Sequence, residues 1–359
     1  MERFATYFAV VPDPRAANVR HELLEVMFIA LAALLCGAET CADMADFAQA
    51  KHALLGQILK LPHGTPSHDT FSRVFRLLKP EPFEAAFARF TAAFAKPLQG
   101  VIAIDGKALR GAYLRGRKAT PLHLVNIWAA EARLAVGQRL APGRNEIAGV
   151  LEALSLLSLE GCVVTADALH CRADIAASIL EQGGDYVLAL KDNHPKLLRQ
   201  AKAALDAPSA AHDRAASGPL SAHDRIETRE AVVATLPGLG LPGAAAVARI
   251  TSRRQADAQD DTPVVRHFIL SKPFPAARLL EIVRAHWGIE NQLHWVLDVI
   301  FAEDANRSRK DNAPQNLALL RKLALNILRS HPDRASLRRK IKRASWEDTF
   351  LASLLSHMR

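Results

Sequence analysis

The chain has 359 residues, half of them apolar, and carries a formal net charge of +9 with a pI near 9.6. That length and composition exclude a disordered or disulfide-stapled polypeptide and fit one large domain or two ordinary ones, with a positive balance that favours a polyanionic partner such as nucleic acid. Cys36, Cys41, Cys162 and Cys171 are too scattered for a disulfide framework and form no CxxC pair for structural zinc, so a reducing cytoplasm fits.

MERFATYFAVVPDPR has no secretory-signal pattern. Residues 1–98 read as an N-terminal helical domain. From His21 to Cys36 nearly every position is apolar, which marks a helix buried on most sides, and Gly37 supplies the stop. The most apolar stretch, Val26 to Ala38, covers about 13 residues, too few to cross a bilayer, so no membrane partner is expected. Thr40 to Leu61 follows with Cys41, Met44, Ala45, Phe47 and Ala48 at helical spacing, until Pro62-His63-Gly64 breaks it. Thr65 or Ser67 caps a short helix whose basic side holds Arg73 and Arg76. Those two arginines fit a DNA contact, and they equally fit the solvated face of a bundle helix. Pro82 to Ala95, with Phe83, Phe87, Phe90 and Phe94, is a packing helix.

From residue 101 the period changes. Val101-Ile102-Ala103-Ile104 reads as a buried strand ending at Asp105-Gly106-Lys107, and Gly161-Cys162-Val163-Val164-Thr165-Ala166-Asp167 repeats the design. A lone aspartate there could simply cap a turn. Two strands delivering carboxylates to one sheet edge make a metal-site layout, because hard divalent cations take oxygen ligands from rigid elements. Strands at Leu122–Ala129 and Leu134–Arg139 form an antiparallel meander, followed by a helix from Asn145-Glu146 to Leu157. The first aspartate-bearing strand and this meander lead to strand Cys162–Asp167, helix Arg172–Gln182, strand Tyr186–Lys191 and helix Pro195–Leu205. The order β-β-β-α-β-α-β-α is the ribonuclease H-like arrangement, an inference by fold analogy. The expected fold class is therefore α/β, a mixed sheet flanked by helices.

Residues 206–275 read as a β-rich insertion with strands at Ile226–Val233, Ala245–Thr251 and Val264–Leu270, while Ser217-Gly218-Pro219 reads as loop. A helix beginning near Pro275 carries the apolar stripe Ile289, Leu293, Val296 and Ile300, with Glu290, His294 and Asp298 on the adjoining face. Glu290 could complete the metal site or be a surface carboxylate; His294 and Asp298 read as partners of the ligands or as an intrahelical pair. The catalytic core then spans 99–205 and 276–330. The tail, 331–359, holds a basic run from Arg334 to Arg343 that can track phosphates or face solvent.

Eight strings, LLCGAET, ADFAQAK, PSHDTFSRVFRLL, AIDGKALRG, VTADALHC, EQGGDYVLALKDN, HWGIENQLHWVLDVIFAEDANR and NAPQNLALLRKLALNIL, run nearly end to end in one order. With them the chain resembles DDE-type transposases of bacterial insertion sequences, in the family that includes the H-repeat-associated proteins. The resemblance implies DNA cutting at element ends and joining to target DNA. It places the three metal-binding catalytic carboxylates on Asp105, Asp167 and Glu290, and implies two Mg²⁺ ions, with Mn²⁺ as a substitute. Wider relatives carry a tyrosine and an arginine before the glutamate and a lysine after it, where this chain has Val283, His286 and Leu297. Arg284, His286 and Lys191 are candidate substitutes. Lys107, Arg338, Arg339 and Lys340 complete the candidate DNA contacts with Arg73 and Arg76. By analogy the partners are element ends and target DNA, bound by a homodimer. A DNA-binding relative that no longer cuts and a metal-dependent nuclease without strand transfer are the rival readings.

Overall fold

Apolar density dictates where the molecule is thickest. In the computed structural model, which describes residues 2–15, 19–94, 98–113, 121–141, 145–208, 211–222, 225–255 and 263–356, helices α1 (Glu2–Phe8), α2 (Leu23–Leu35), α3 (Cys41–Ala50), α4 (His52–Leu55), α5 (His68–Leu77) and α6 (Pro80–Phe94) precede the sheet. Every residue of α2 from Val26 to Leu35 is buried, as its lack of a polar face requires. α3 starts at a capping box, in which the Asp43 amide donates to Thr40 Oγ1 and the Thr40 amide to Asp43 Oδ2 at 2.8 Å. Phe83, Phe87 and Phe90 of α6 are core residues.

Strands β1 (Gly100–Tyr113), β2 (Pro121–Ala129), β3 (Leu134–Leu140), β4 (Cys162–Ala166), β5 (Asp185–Leu190), β6 (Asp213–Ala222), β7 (Arg225–Thr235), β8 (Ala246–Gln255) and β9 (Val264–Leu270) form one sheet in the order β3-β2-β1-β4-β5-β9-β8-β7-β6. β1, β4 and β5 are parallel and the remaining pairs antiparallel. The half built from the first five strands is the expected ribonuclease H-like arrangement. The β-rich insertion does not stand apart, because β9 pairs with β5 through Leu188↔Ile269 and carries the sheet outward.

Two expectations are corrected. β1 does not end at Asp105; its pairing with β2 continues past Asp105↔Asn126 to Leu109↔Leu122, whereas its pairing with the shorter β4 stops at Ile104↔Ala166. The segment around Ser217-Gly218-Pro219 is strand, not loop. It forms the outermost strand, and its register shifts between Ser217 and Leu220, an edge position and a bulge where a proline lacking an N–H is tolerated.

Helices α7 (Glu146–Leu154), α8 (Ala173–Glu181) and α9 (Pro195–Asp206) cover one face. On the other lie α10 (Ala276–His286), a π-helical turn (Ile289–His294), α11 (Trp295–Ile300) and α12 (Ala313–Ser330), followed by α13 (Leu337–Trp346) and α14 (Asp348–Ser356). Side chains of β1 alternate between these layers: Ile102 and Ile104 face the α7 side, Val101 and Ala103 the α10 side.

Every residue of α12 from Ala313 to Leu328 is buried, and the helix shares one apolar core with α2, α5 and α6. Several of its polar groups are matched: Lys322 Nζ donates to Gln138 Oε1 at 2.7 Å and Gln315 Nε2 to Glu84 at 2.8 Å, while Glu84 pairs with Arg139. Asn326 seals the edge of the sheet. Its Oδ1 accepts from the Ala135 amide at 2.9 Å and its Nδ2 donates to the Ala135 carbonyl at 2.7 Å, replacing a neighbouring strand. Asn326→Leu leaves both backbone groups buried and unpaired, at about 1–3 kcal/mol each. Its urea midpoint should fall accordingly, and an unchanged midpoint would deny the edge contact its role.

Candidate active site

With Ile104 paired to Ala166, the next residue on each strand emerges beside the other, and alternation turns both Asp105 and Asp167 toward the α10 layer. Asp105 Oδ1 accepts from the Gly106 amide at 2.9 Å. Asp167 leads into a 3-10 turn, Ala168–His170. Glu290 comes from the π turn, an irregularity that recurs at functional positions because it re-aims side chains within a helix. All three carboxylates line one cavity of about 580 Å³, together with Lys191 and His286.

His294 binds this constellation together. Its Nδ1 lies 3.6 Å from Asp105 Oδ2 and 3.7 Å from Glu290 Oε2, and its Nε2 lies 3.2 Å from the Asn126 side-chain amide. With that amide donating to Nε2, the ring proton is on Nδ1, facing both carboxylates. Ligand atoms of Asp105, Glu290 and His294 all fall within 4.8 Å of one another. Asp167 is held differently: Lys191 Nζ donates to its Oδ1 at 2.9 Å, the lysine side chain being 60% and the aspartate 49% exposed.

The electrostatics follow. Burial, then the Glu290 charge and the hydrogen bond with it, push the Asp105 carboxyl up to about 8. The His294 ring facing Glu290 draws that carboxyl down, so the pair retains one proton near neutrality. Burial alone would raise Asp167, but the Lys191 hydrogen bond, the Ala168 amide and the Lys191 charge act together against it and keep that carboxylate below its ordinary value. Burial lowers His286 to about 4, leaving a neutral ring whose Nδ1 lies 3.0 Å from Thr165 Oγ1. A carboxyl pair that holds a proton for want of positive charge, mostly buried at Asp105 and half-exposed at Glu290, with a third carboxylate in the same cavity, suits a hard divalent cation.

Several candidates are relocated. Lys107, a candidate DNA contact, is buried, with Nζ 2.7 Å from Asp298 Oδ1, 3.6 Å from Asp304 and 3.8 Å from Glu303. Asp298 is thereby the partner of Lys107 and not of His294. Lys340 is likewise buried, its Nζ donating to the carbonyls of Leu328 and His331 at 2.6 and 3.1 Å, where it closes the end of α12. Arg76 pairs with Asp311 at 2.8 Å and ties α5 to the start of α12. Arg73, Arg284, Arg338 and Arg339 are exposed. Val283 and Leu297, where wider relatives are polar, pack in the core.

Sequence reasoning missed Arg329. From the last turn of α12 it donates to the carbonyl of Gln292 inside the π turn and to that of Arg133 at 3.1 Å, and its guanidinium lies 4.7 Å from the Trp128 ring centre. A basic residue in a last helical turn is an ordinary signal and gave no hint of this reach.

The chain is similar to known proteins. A family described as Transposase DDE domain matches residues 96–327, and one described as DDE_Tnp_1-associated matches residues 5–91. The "H repeat-associated putative transposase YhhI" of Escherichia coli is 31% identical over 372 aligned positions, covering 99% of this chain and 98% of its own. An "Uncharacterized protein in dhlA 3'region" of Xanthobacter autotrophicus is 39% identical over 229 positions, 62% of this chain and 77% of its own. A solved structure of piggyBac transposase in a synaptic complex with hairpin DNA aligns over 98% of this chain and 77% of its own, at 12% identity and a TM-score of 0.47.

Because metal must displace the proton held near Asp105, Mn²⁺ affinity measured by electron paramagnetic resonance should rise about tenfold per pH unit up to about pH 8 and then level off. A flat profile between pH 6 and about 8 is inconsistent with a metal at that carboxyl pair. Arg329→Met should weaken Mn²⁺ binding by about 10- to 100-fold, the range for groups that orient ligands, with partial recovery in Arg329→Lys. Equal affinity in all three proteins would leave Arg329 a packing residue only.

Proposed function

The chain belongs to the DDE transposase family, in its H-repeat-associated branch, and from that premise we propose that it cuts DNA at the ends of a mobile element and joins those ends to target DNA. The observation that carries the reading is the convergence of Asp105, Asp167 and Glu290 on one cavity. The family implies a divalent metal, and these carboxylates are the residues that would hold it, Mg²⁺ as a pair of ions in the fullest form of the proposal. Bound there, divalent cations supply Lewis-acid activation for in-line displacement at phosphorus.

The protein side chains do the rest. Asp105 and Glu290 present oxygen donors in fixed relation, since the proton on His294 Nδ1 faces both. Lys191 sets a positive charge at the mouth of the cavity, where an arriving phosphate can compete with Asp167 for it. Neutral His286, fixed by Thr165, adds no charge to repel a metal. Exposed Arg284, Arg338 and Arg339 are proposed phosphate contacts. Holding two element ends together calls for two copies of the chain on DNA.

An assay with labelled element ends tests this. Asp105→Asn, Asp167→Asn and Glu290→Gln should each lower metal-dependent cleavage by more than about 100-fold, beyond the usual cost of removing an outer partner, while DNA binding persists. Wild-type cleavage in any of them overturns the site. Cleavage by the wild type without joined product would identify a nuclease lacking strand transfer.

A further inference from the structure

A second recess, of about 460 Å³, lies among the N-terminal helices, remote in sequence from the carboxylates. Arg15, Arg20, His21, His63, Ser67 and Arg73 line it. Arg15 is fixed: it donates to Asp13 Oδ1 and Oδ2 at 2.9 and 2.7 Å and to the His21 carbonyl at 2.7 Å. Arg20 and Arg73 are exposed and have no carboxylate partner among the described residues. Thr70 also lines the recess, its hydroxyl 3.3 Å from that of Ser67, and Ser67 makes no capping bond to α5, so neutral donors accompany the cations.

Of the acids nearby, Asp13 is occupied by Arg15, buried Glu25 accepts from the Lys60 amide at 2.8 Å through one oxygen, and exposed Asp69 lies 3.3 Å from His68 Nε2. The pKa of His21 is lowered by burial first, then by the charges of His63 and Arg15, against the opposing charge of Glu25. Its buried Nδ1 has no hydrogen-bond partner among the described residues. Two unpaired guanidinium groups, a third held rigid, imidazole nitrogens and hydroxyls together match a tetrahedral oxyanion.

We propose that this recess binds a phosphate group of the DNA backbone, giving the protein a grip on DNA separate from the carboxylate cavity. The inference rests on the reading that the chain acts on DNA. It assigns work to Arg20 and His63, to which no other role falls.

The test uses the full chain in chelator, so that no cutting occurs, and measures duplex affinity by fluorescence anisotropy across a salt series. Each phosphate contact adds about 0.9 to the slope of log affinity against log salt. The double variant Arg20→Gln, Arg73→Gln should lose roughly one unit of slope and on the order of 3- to 10-fold in affinity, with thermal midpoint unchanged, and Arg73→Lys should keep the slope. A wild-type slope in the double variant overturns the inference and leaves the proposed function standing. If the wild-type chain itself shows no salt-dependent binding to DNA, the functional reading fails and this one with it. Calorimetric titration with inorganic phosphate separates the remaining source: saturable binding that the double variant loses, with its DNA slope intact, would make the recess a site for free phosphate and overturn the assignment to DNA.

Discussion

The register of β1 against β4 decides whether the two aspartates of the candidate site meet at all. Ile104 opposite Ala166 places Asp105 beside Asp167, and a slip of one residue would turn Asp105 to the opposite layer. There it would meet Glu146, whose carboxylate already stands 2.6 Å from where a Cβ on Gly106 would be. The register is held by burial on both faces, because Ile102, Ile104 and Val164 fill one core and Val101 and Val163 the other. Shifting either strand would carry each set into the wrong layer.

The third carboxylate needs a different device, since it arrives on a helix from 123 positions further along the chain. Lys107, two residues beyond Asp105, grips Asp298, eight beyond Glu290, so one buried lysine moors the segment after the π turn to the strand that carries the first aspartate. The same lysine offsets Glu303 and Asp304, which would otherwise add to the negative charge near the site. Arg329 holds the turn itself from the α12 side.

Periodicity revealed most of the frame. The β-branched runs, the helix at Pro195 and the stripe Ile289, Leu293, Val296 are local signals, and local signals survive folding when burial agrees with them. Both aspartates were legible for that reason. The length of β1 was not, because Gly106 and Lys107 look like a strand end until the long partner β2 is known to run on beside them. Nor was the fate of the cations: Lys107, Lys340 and Arg339 are alike in sequence, and only tertiary neighbours sort the buried pair from the exposed one. His294 was visible as a neighbour of Glu290 but not as the group facing Asp105, which depends on where β2 puts Asn126.

That α12 completes the apolar core around α2 has a consequence for synthesis. The ribosome releases α2 nearly 300 residues before the helix that covers it, an interval of roughly 15–60 s at about 5–20 residues per second. During that time thirteen almost wholly nonpolar residues lack their final cover, so the nascent polypeptide is a natural client for chaperones that shield greasy segments.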